Sequence, residues 1–266
     1  MKRCSKWMAV VGAGIVLGMS GASAQDEELM TDLPIGNDSA AQVEEATKGG
    51  VNDPLEPVNR VLYAVNDKLY YWVLKPAAKG YKSVVPKDPR RGIRNAFANI
   101  ATPIRLVNCA LQGDMRGTGT EFARFAINTT LGGLGFTDPA DKKFGIKTRD
   151  EDSGQTLGAY GLGGGPYLML PLMGPLTLRD GIGKVGDWFL DPISWLDLET
   201  LESVGITAGE TVNDTSLSLG RYEAFKKATV DPYIAIRSAY LKQRKKAVKD
   251  RGKKNDEREK GRFGSW

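Results

Sequence analysis

Residues 157–178 constrain the fold of this chain more than any other stretch. Gly158, Gly161, Gly163, Gly164, Gly165 and Gly174, with Pro166, Pro171 and Pro175, are set among Leu, Met and Tyr. Glycine costs the most backbone entropy to order, and proline lacks an N–H, so this density forbids a regular helix. Polar and apolar residues do not alternate with period two, so a strand is not supported either. The segment is nevertheless too apolar for an ordinary solvated loop. Residues 131–136, Leu131-Gly132-Gly133-Leu134-Gly135-Phe136, have the same texture. Irregular apolar chain of this kind is expected to be buried in the protein or to lie against lipid or a partner.

The rest of the chain carries helical periodicity. Leu62, Val65, Leu69 and Val73 recur at helical spacing, with Asn66 and Lys68 off the stripe. This helix is expected to end before Pro76, because the residue preceding proline disfavours the helical region. Residues 86–111 read as two helical pieces separated at Pro103. In a helix over residues 120–131, Phe122, Phe125, Ala126 and Thr129 share a face, and Arg124 and Asn128 lie off it. Tyr233, Ile236, Tyr240 and Leu241 form a last stripe, with Asp231-Pro232 as cap and first turn. The expected fold class is mostly α: a single helical domain interrupted by irregular Gly/Pro-rich apolar segments.

The N-terminus reads as a targeting segment. Lys2, Arg3 and Lys6 precede an apolar run over residues 7–19, and Ala22-Ser23-Ala24 supplies the small residues that signal peptidase accepts. Residues 1–24 are therefore expected to be a cleaved signal peptide, with export and a mature start at Gln25. Residues 25–52 are polar and acidic and read as a flexible leader, with a weak helix at residues 40–47. From residue 242 to the end the chain holds eleven Lys/Arg and four Asp/Glu, so residues 245–266 are expected to be a basic disordered tail. That tail could touch anionic headgroups or an acidic partner; nucleic acid is not expected. No later window has the length and apolarity of a membrane-spanning helix.

Two residue counts remove whole classes of chemistry. The chain has no histidine, so a Ser–His or Cys–His nucleophile and a His-ligated zinc site are excluded. Its cysteines are Cys4, inside the signal, and Cys109, which reads as a buried structural thiol. No metal or cofactor is expected.

From Asp53-Pro54-Leu55-Glu56-Pro57-Val58-Asn59-Arg60 onward the chain resembles the MlaA (VacJ) family. The match continues through Asn66-Asp67, Pro76, Asn95, Asn99, Pro103, Leu111-Gln112-Gly113 and residues 124–132. Gly154-Gln155-Thr156-Leu157-Gly158, Gly165-Pro166-Tyr167, Leu178-Arg179-Asp180 and Asp231-Pro232-Tyr233 follow in order, so the resembling region is residues 53–244. The resemblance implies a ring-like helical protein in the periplasmic leaflet of the outer membrane. It implies a component of an intermembrane phospholipid transport system that removes misplaced phospholipid from the outer leaflet through an amphipathic channel. Its implied partners are phospholipid, an outer-membrane porin trimer and a periplasmic lipid carrier. Under that resemblance, the candidate lipid-contacting residues are Leu134, Phe136, Tyr167, Leu168, Leu170 and Leu172, at a surface or pore lip and not in a sealed core. Family members are commonly acylated on a cysteine at the cleavage site; here Ala-Ser-Ala-Gln stands there, with no such cysteine.

Rival readings rest on other residues. Arg149, Asp150, Glu151 and Asp152 form the best carboxylate cluster, which a soluble periplasmic carboxylate enzyme would use; a solvated turn explains it more simply. Residues 161–165 lack the Lys-Ser/Thr of a phosphate loop. Tyr70, Tyr71, Trp72, Tyr160, Tyr167, Trp188, Phe189 and Trp195 suit a membrane-interface belt or ordinary core packing equally well. A third reading is a structural adapter that binds porin and moves no lipid.

Overall fold

A computed structural model describes residues 53–249. The expected signal peptide, the leader and most of the basic tail lie outside the described residues. In chain order the helices are α1 (Glu56–Leu69), α2 (Lys75–Val84), α3 (Lys87–Ile100), α4 (Thr102–Leu111), α5 (Met115–Thr130), the short α6 (Pro139–Lys142) and α7 (Ser153–Ala159). A hairpin of β1 (Tyr167–Leu170) and β2 (Gly174–Thr177) follows, then α8 (Leu178–Leu190), α9 (Thr200–Ser218), α10 (Arg221–Ala228) and α11 (Pro232–Lys249). The mostly helical class is as expected.

Local chemistry explains most of the boundaries. Asp114 accepts from the Gly117 N–H at 2.8 Å to start α5, and Asp152 accepts from the Gln155 N–H at 2.7 Å to start α7. Asp231 accepts from the N–H groups of Tyr233 and Ile234 at the head of α11. Each satisfies amides that the first helical turn leaves without partners. Helices α3 and α4 break at Ala101, with Pro103 in the first turn of α4, as the sequence suggested.

Three expectations need correction. The first helix does not end before Pro76. A π turn over Tyr70–Leu74 carries it into α2, and Lys75 N–H bonds to Tyr70 O, five residues back. That wider turn shifts the carbonyl that the proline ring would otherwise strike. Residues 157–178 are also more regular than expected. Leu157 and Gly158 belong to α7, and residues 167–177 form the antiparallel hairpin, with Tyr167 opposite Thr177 and Leu170 opposite Gly174. The period-two signal was invisible because both strand faces are apolar: Tyr167 and Met169 point inward, while Leu168 and Leu170 are half-buried on the other face. Finally, α11 extends to Lys249, into the segment expected to be disordered.

The hydrophobic core is small. Tyr167, Met169, Leu176, Tyr233 and Tyr240 cluster where the hairpin meets α11, with Tyr167 stacked edge-on against both Tyr233 and Tyr240. Elsewhere α7 and α8 cross at glycine. A Cβ on Gly183 would stand 2.2 Å from the Gly154 nitrogen, so no larger residue fits that crossing. This explains one glycine of the Gly154-Gln155-Thr156-Leu157-Gly158 run by packing.

Candidate lipid-contacting surface and polar interior

The distribution of side chains is the reverse of that in an ordinary soluble domain. Among the described residues, ten hydrophobic side chains are buried, against nineteen polar or charged ones, while twenty-seven large hydrophobic residues are exposed. Soluble proteins rarely bury a charge and do not present apolar stripes over successive helices. On α1, Asn59 is buried and Val58, Val61 and Val65 are exposed, with Trp72 and Val73 continuing that face beyond it. On α5, Gly117, Glu121, Arg124 and Asn128 face inward, and Met115, Phe122 and Phe125 face out. The stripe of Phe122 and Phe125 is thus an outer face. On α8, Ile182, Val185 and Phe189 are exposed and Arg179 and Asp180 are buried. No helix among the described residues is long and apolar enough to cross a membrane.

The inward polar groups are paired into networks, as burial requires. Arg244 on α11 donates to both oxygens of Asp152, at 2.5 and 2.9 Å, and to Asp180 at 2.8 Å. Asp180 also accepts from Arg179, from the Tyr240 hydroxyl at 2.6 Å and from Thr177 at 2.7 Å. Burial works against both aspartate charges, but the Arg244 guanidinium outweighs it and holds them below the usual carboxylate range. Glu121, fully buried, accepts from Arg105 at 2.8 Å and from the Arg149 N–H at 2.6 Å. Arg124 and Asn128 together hold Asp138 at 2.9 and 3.0 Å.

Two residues of the carboxylate cluster make structural bonds of the same kind. Asp152 is a helix cap and ion-pair partner, and Glu151 accepts from Gln112 at 2.9 Å. The expectation of a solvated turn is therefore corrected: both acids are half-buried and bonded to residues of α11 and α4. No group of three His, Cys, Asp or Glu among the described residues has the arrangement of a metal site. Cys109 is buried, and burial with nearby carboxylates pushes its thiol up to about 12.

The six candidate lipid-contacting residues divide. Leu134, Phe136 and Leu172 are 73%, 52% and 59% exposed. Leu168 and Leu170 are half-buried against the hairpin core. Tyr167 is only 2% exposed, and its placement at a surface is corrected. Inward pointing along β1 puts its ring into the Tyr233–Tyr240 cluster. Leu134 and Leu172 share another property. They are the non-glycine residues at positive φ among the described residues, at 58° and 64°. A left-handed leucine is strained, so each backbone must be held by its surroundings.

Asparagines supply much of that hold. Asn95 donates to Phe136 O and Asn99 to Thr129 Oγ1, bracketing the 131–136 turn. There, a Cβ on Gly135, at φ 91°, would stand 2.5 Å from the Asn99 Cβ. Asn59 and Asn66 hold the outer edge of the hairpin.

Sequence reasoning missed two buried groups. Arg244 falls on the Tyr233–Arg237–Tyr240 stripe at helical spacing, which was a usable signal. Glu210 on α9 gave none. It is buried, its Oε2 has no hydrogen-bond partner, and burial, with Asp214 and Asp191 adding, raises its pKa to about 8.

The family model described as MlaA lipoprotein matches residues 51–247. The chain is 38% identical over 197 residues to the intermembrane phospholipid transport system lipoprotein MlaA of Escherichia coli K12, covering 73% of this chain and 77% of that protein. The protein of the same name in Haemophilus influenzae is 32% identical over 204 residues, covering 75% and 80%. A solved structure from work on the structural basis for maintenance of bacterial outer membrane lipid asymmetry superposes with a TM-score of 0.62 at 33% identity. It covers 74% of this chain and 99% of that one. With a polar interior, an apolar exterior and this likeness over most of its length, the chain belongs to the MlaA lipoprotein family.

Proposed function

We propose that this protein is the outer-membrane component of an intermembrane phospholipid transport system and helps to maintain outer-membrane lipid asymmetry. The observation that carries the reading is the inverted side-chain distribution. A phospholipid can move between leaflets only if its headgroup stays in polar surroundings while its tails stay in apolar ones. A helical wall with Arg, Asp, Asn and Glu inside and Val, Phe and Trp outside supports both requirements. The outer face would replace water with acyl chains, each buried Val or Phe side chain contributing ~1.5–3 kcal/mol. Leu134, Phe136 and Leu172 are the exposed residues we assign to lipid contact, with Leu168 and Leu170 beside them.

The protein sits in the periplasmic leaflet, removes misplaced phospholipid from the outer leaflet and hands it to a periplasmic carrier, in company with a porin trimer. It performs no chemistry: Glu151 and Asp152, the best acid pair, are engaged in structural bonds. Residues 1–24 are removed and Gln25 begins the mature chain without an acyl group. Membrane retention then rests on the apolar face, since one acyl chain gives only marginal anchoring.

Deleting the gene tests the reading. The deletion should leave excess phospholipid in the outer leaflet and sensitise cells to detergent with a chelator, and the wild-type gene should reverse both. Unchanged outer-leaflet phospholipid in a clean deletion would refute transport. Membrane retention without any lipid phenotype would point instead to a porin-binding adapter.

A further inference from the structure

We infer that Asn59 and Asn66 are positioning residues that set where the β1–β2 hairpin stands against α1, and thereby where Leu172 meets lipid. The inference rests on the phospholipid-transport reading. A two-stranded hairpin leaves the backbone of its outer edge unpaired, and among the described residues no third strand covers the edge of β1. Two side-chain amides on α1 take that place. Asn59 Nδ2 donates to Tyr167 O at 3.0 Å, and its Oδ1 accepts from Met169 N–H at 2.9 Å. Asn66 Nδ2 donates to Leu170 O at 2.9 Å, and its Oδ1 accepts from Leu172 N–H at 2.9 Å. Each carboxamide thus presents one donor and one acceptor, as an adjacent strand would.

The two amides hold different parts of the hairpin. Asn59 bonds the edge of β1, and Asn66, two helical turns further along α1, bonds the end of β1 and the turn that follows it. Strand and turn are thus each tied to the same helix. The second clip ends on Leu172, the exposed leucine held at positive φ. A hairpin bound by side chains can be released from α1 without opening a sheet, so its tip position is set by these two residues. Asn59 is fully buried and also donates to Asp53 at 3.1 Å, whereas Asn66 is half-buried. Asn66 is therefore the position to vary.

The experiment uses the full mature chain in phospholipid nanodiscs, read by amide hydrogen exchange, together with complementation of a deletion strain. In N66A, exchange at Leu172 should rise roughly fivefold, the change expected when one hydrogen bond worth ~1 kcal/mol is removed. Exchange in α5, α8 and α11 should not change, and clearance of outer-leaflet phospholipid should fall. N66D keeps an acceptor for Leu172 N–H but lacks the donor to Leu170 O, so it should restore protection at Leu172. A merely structural role would not produce that split. Unchanged exchange at Leu172 in N66A, or a rise spread evenly over all helices, overturns the inference. So does a local rise with wild-type lipid clearance, and in that case the transport reading still stands. A wild-type chain that clears no phospholipid sinks the transport reading and the inference with it.

Discussion

Replacing Arg244 with methionine is the sharpest test of the polar interior. The substitution keeps an apolar stem of similar length and removes the guanidinium that joins α11 to the cap of α7 and the first turn of α8. Three hydrogen bonds are lost, two to Asp152 and one to Asp180. Asp180 retains Arg179, Tyr240 and Thr177, so most of the cost falls on Asp152. Removing one partner of a buried pair costs about 3–5 kcal/mol. The surviving partners of Asp180 place R244M near the lower end, ~3 kcal/mol. For a domain of this size that is a fall in Tm of about 6–12 °C, readable by calorimetry in detergent. The pH dependence has a definite sign. Burial opposes the charge on Asp152 and Asp180, but Arg244 holds both pKa values below the ordinary carboxylate range. Their contribution is therefore present above about pH 4 and lost as pH falls through the folded values. The deficit of R244M should be largest near pH 7 and shrink below about pH 4. Adding D152N to R244M should recover part of it, because the stranded carboxylate is then neutral. A deficit under ~1 kcal/mol at pH 7, or one that does not change with acid, would refute the reasoning.

Glu210 is expected to act in the opposite direction. Burial, with Asp214 and Asp191 adding, raises its pKa to about 8, so the stability it contributes is full below its ordinary value near 4.5 and is lost as pH rises through about 8. E210Q should match wild type near pH 5 and exceed it by ~1–3 kcal/mol at pH 8.5 in denaturant titrations; equal stability at both pH values would contradict this. Y167A should cost ~3–5 kcal/mol because the ring fills the hairpin core, whereas L172D should change unfolding by under ~1 kcal/mol and reduce membrane retention; similar unfolding losses in both would show that the two faces of the hairpin are not distinct. L134G removes a left-handed leucine and should leave stability within ~1 kcal/mol while weakening flotation with outer-membrane-like vesicles; unchanged flotation would remove Leu134 from the lipid surface. Intact mass of envelope-derived protein should correspond to a start at Gln25 with no diacylglyceryl increment, and such an increment would contradict anchoring by the apolar face.

Much of the fold was local and therefore readable from residue order. The break near Pro103, the helix over residues 120–131 and the Asp231-Pro232 start of the last helix depend on caps and periodicities within one turn or two. The two Gly/Pro-rich segments stood out for the same reason. Pro76 misled because a π turn is a property of the whole helix and not of the dipeptide before the proline. The hairpin escaped because both its faces are apolar, one against tyrosines and one half-exposed. The partners of Asp152 also lay beyond reach, since Arg244 is ninety-two residues away along the chain. The deepest gap concerns direction. Periodicity by itself determined that α1 and α5 have an apolar and a polar face. Only the tertiary structure decided that Asn59, Glu121, Arg124 and Asn128 turn inward and Val61, Phe122 and Trp72 turn outward. A stripe reports a difference between two faces. Which face is buried depends on what the neighbouring elements offer: here they offer paired charges and amides, and the apolar side chains are left on the outside.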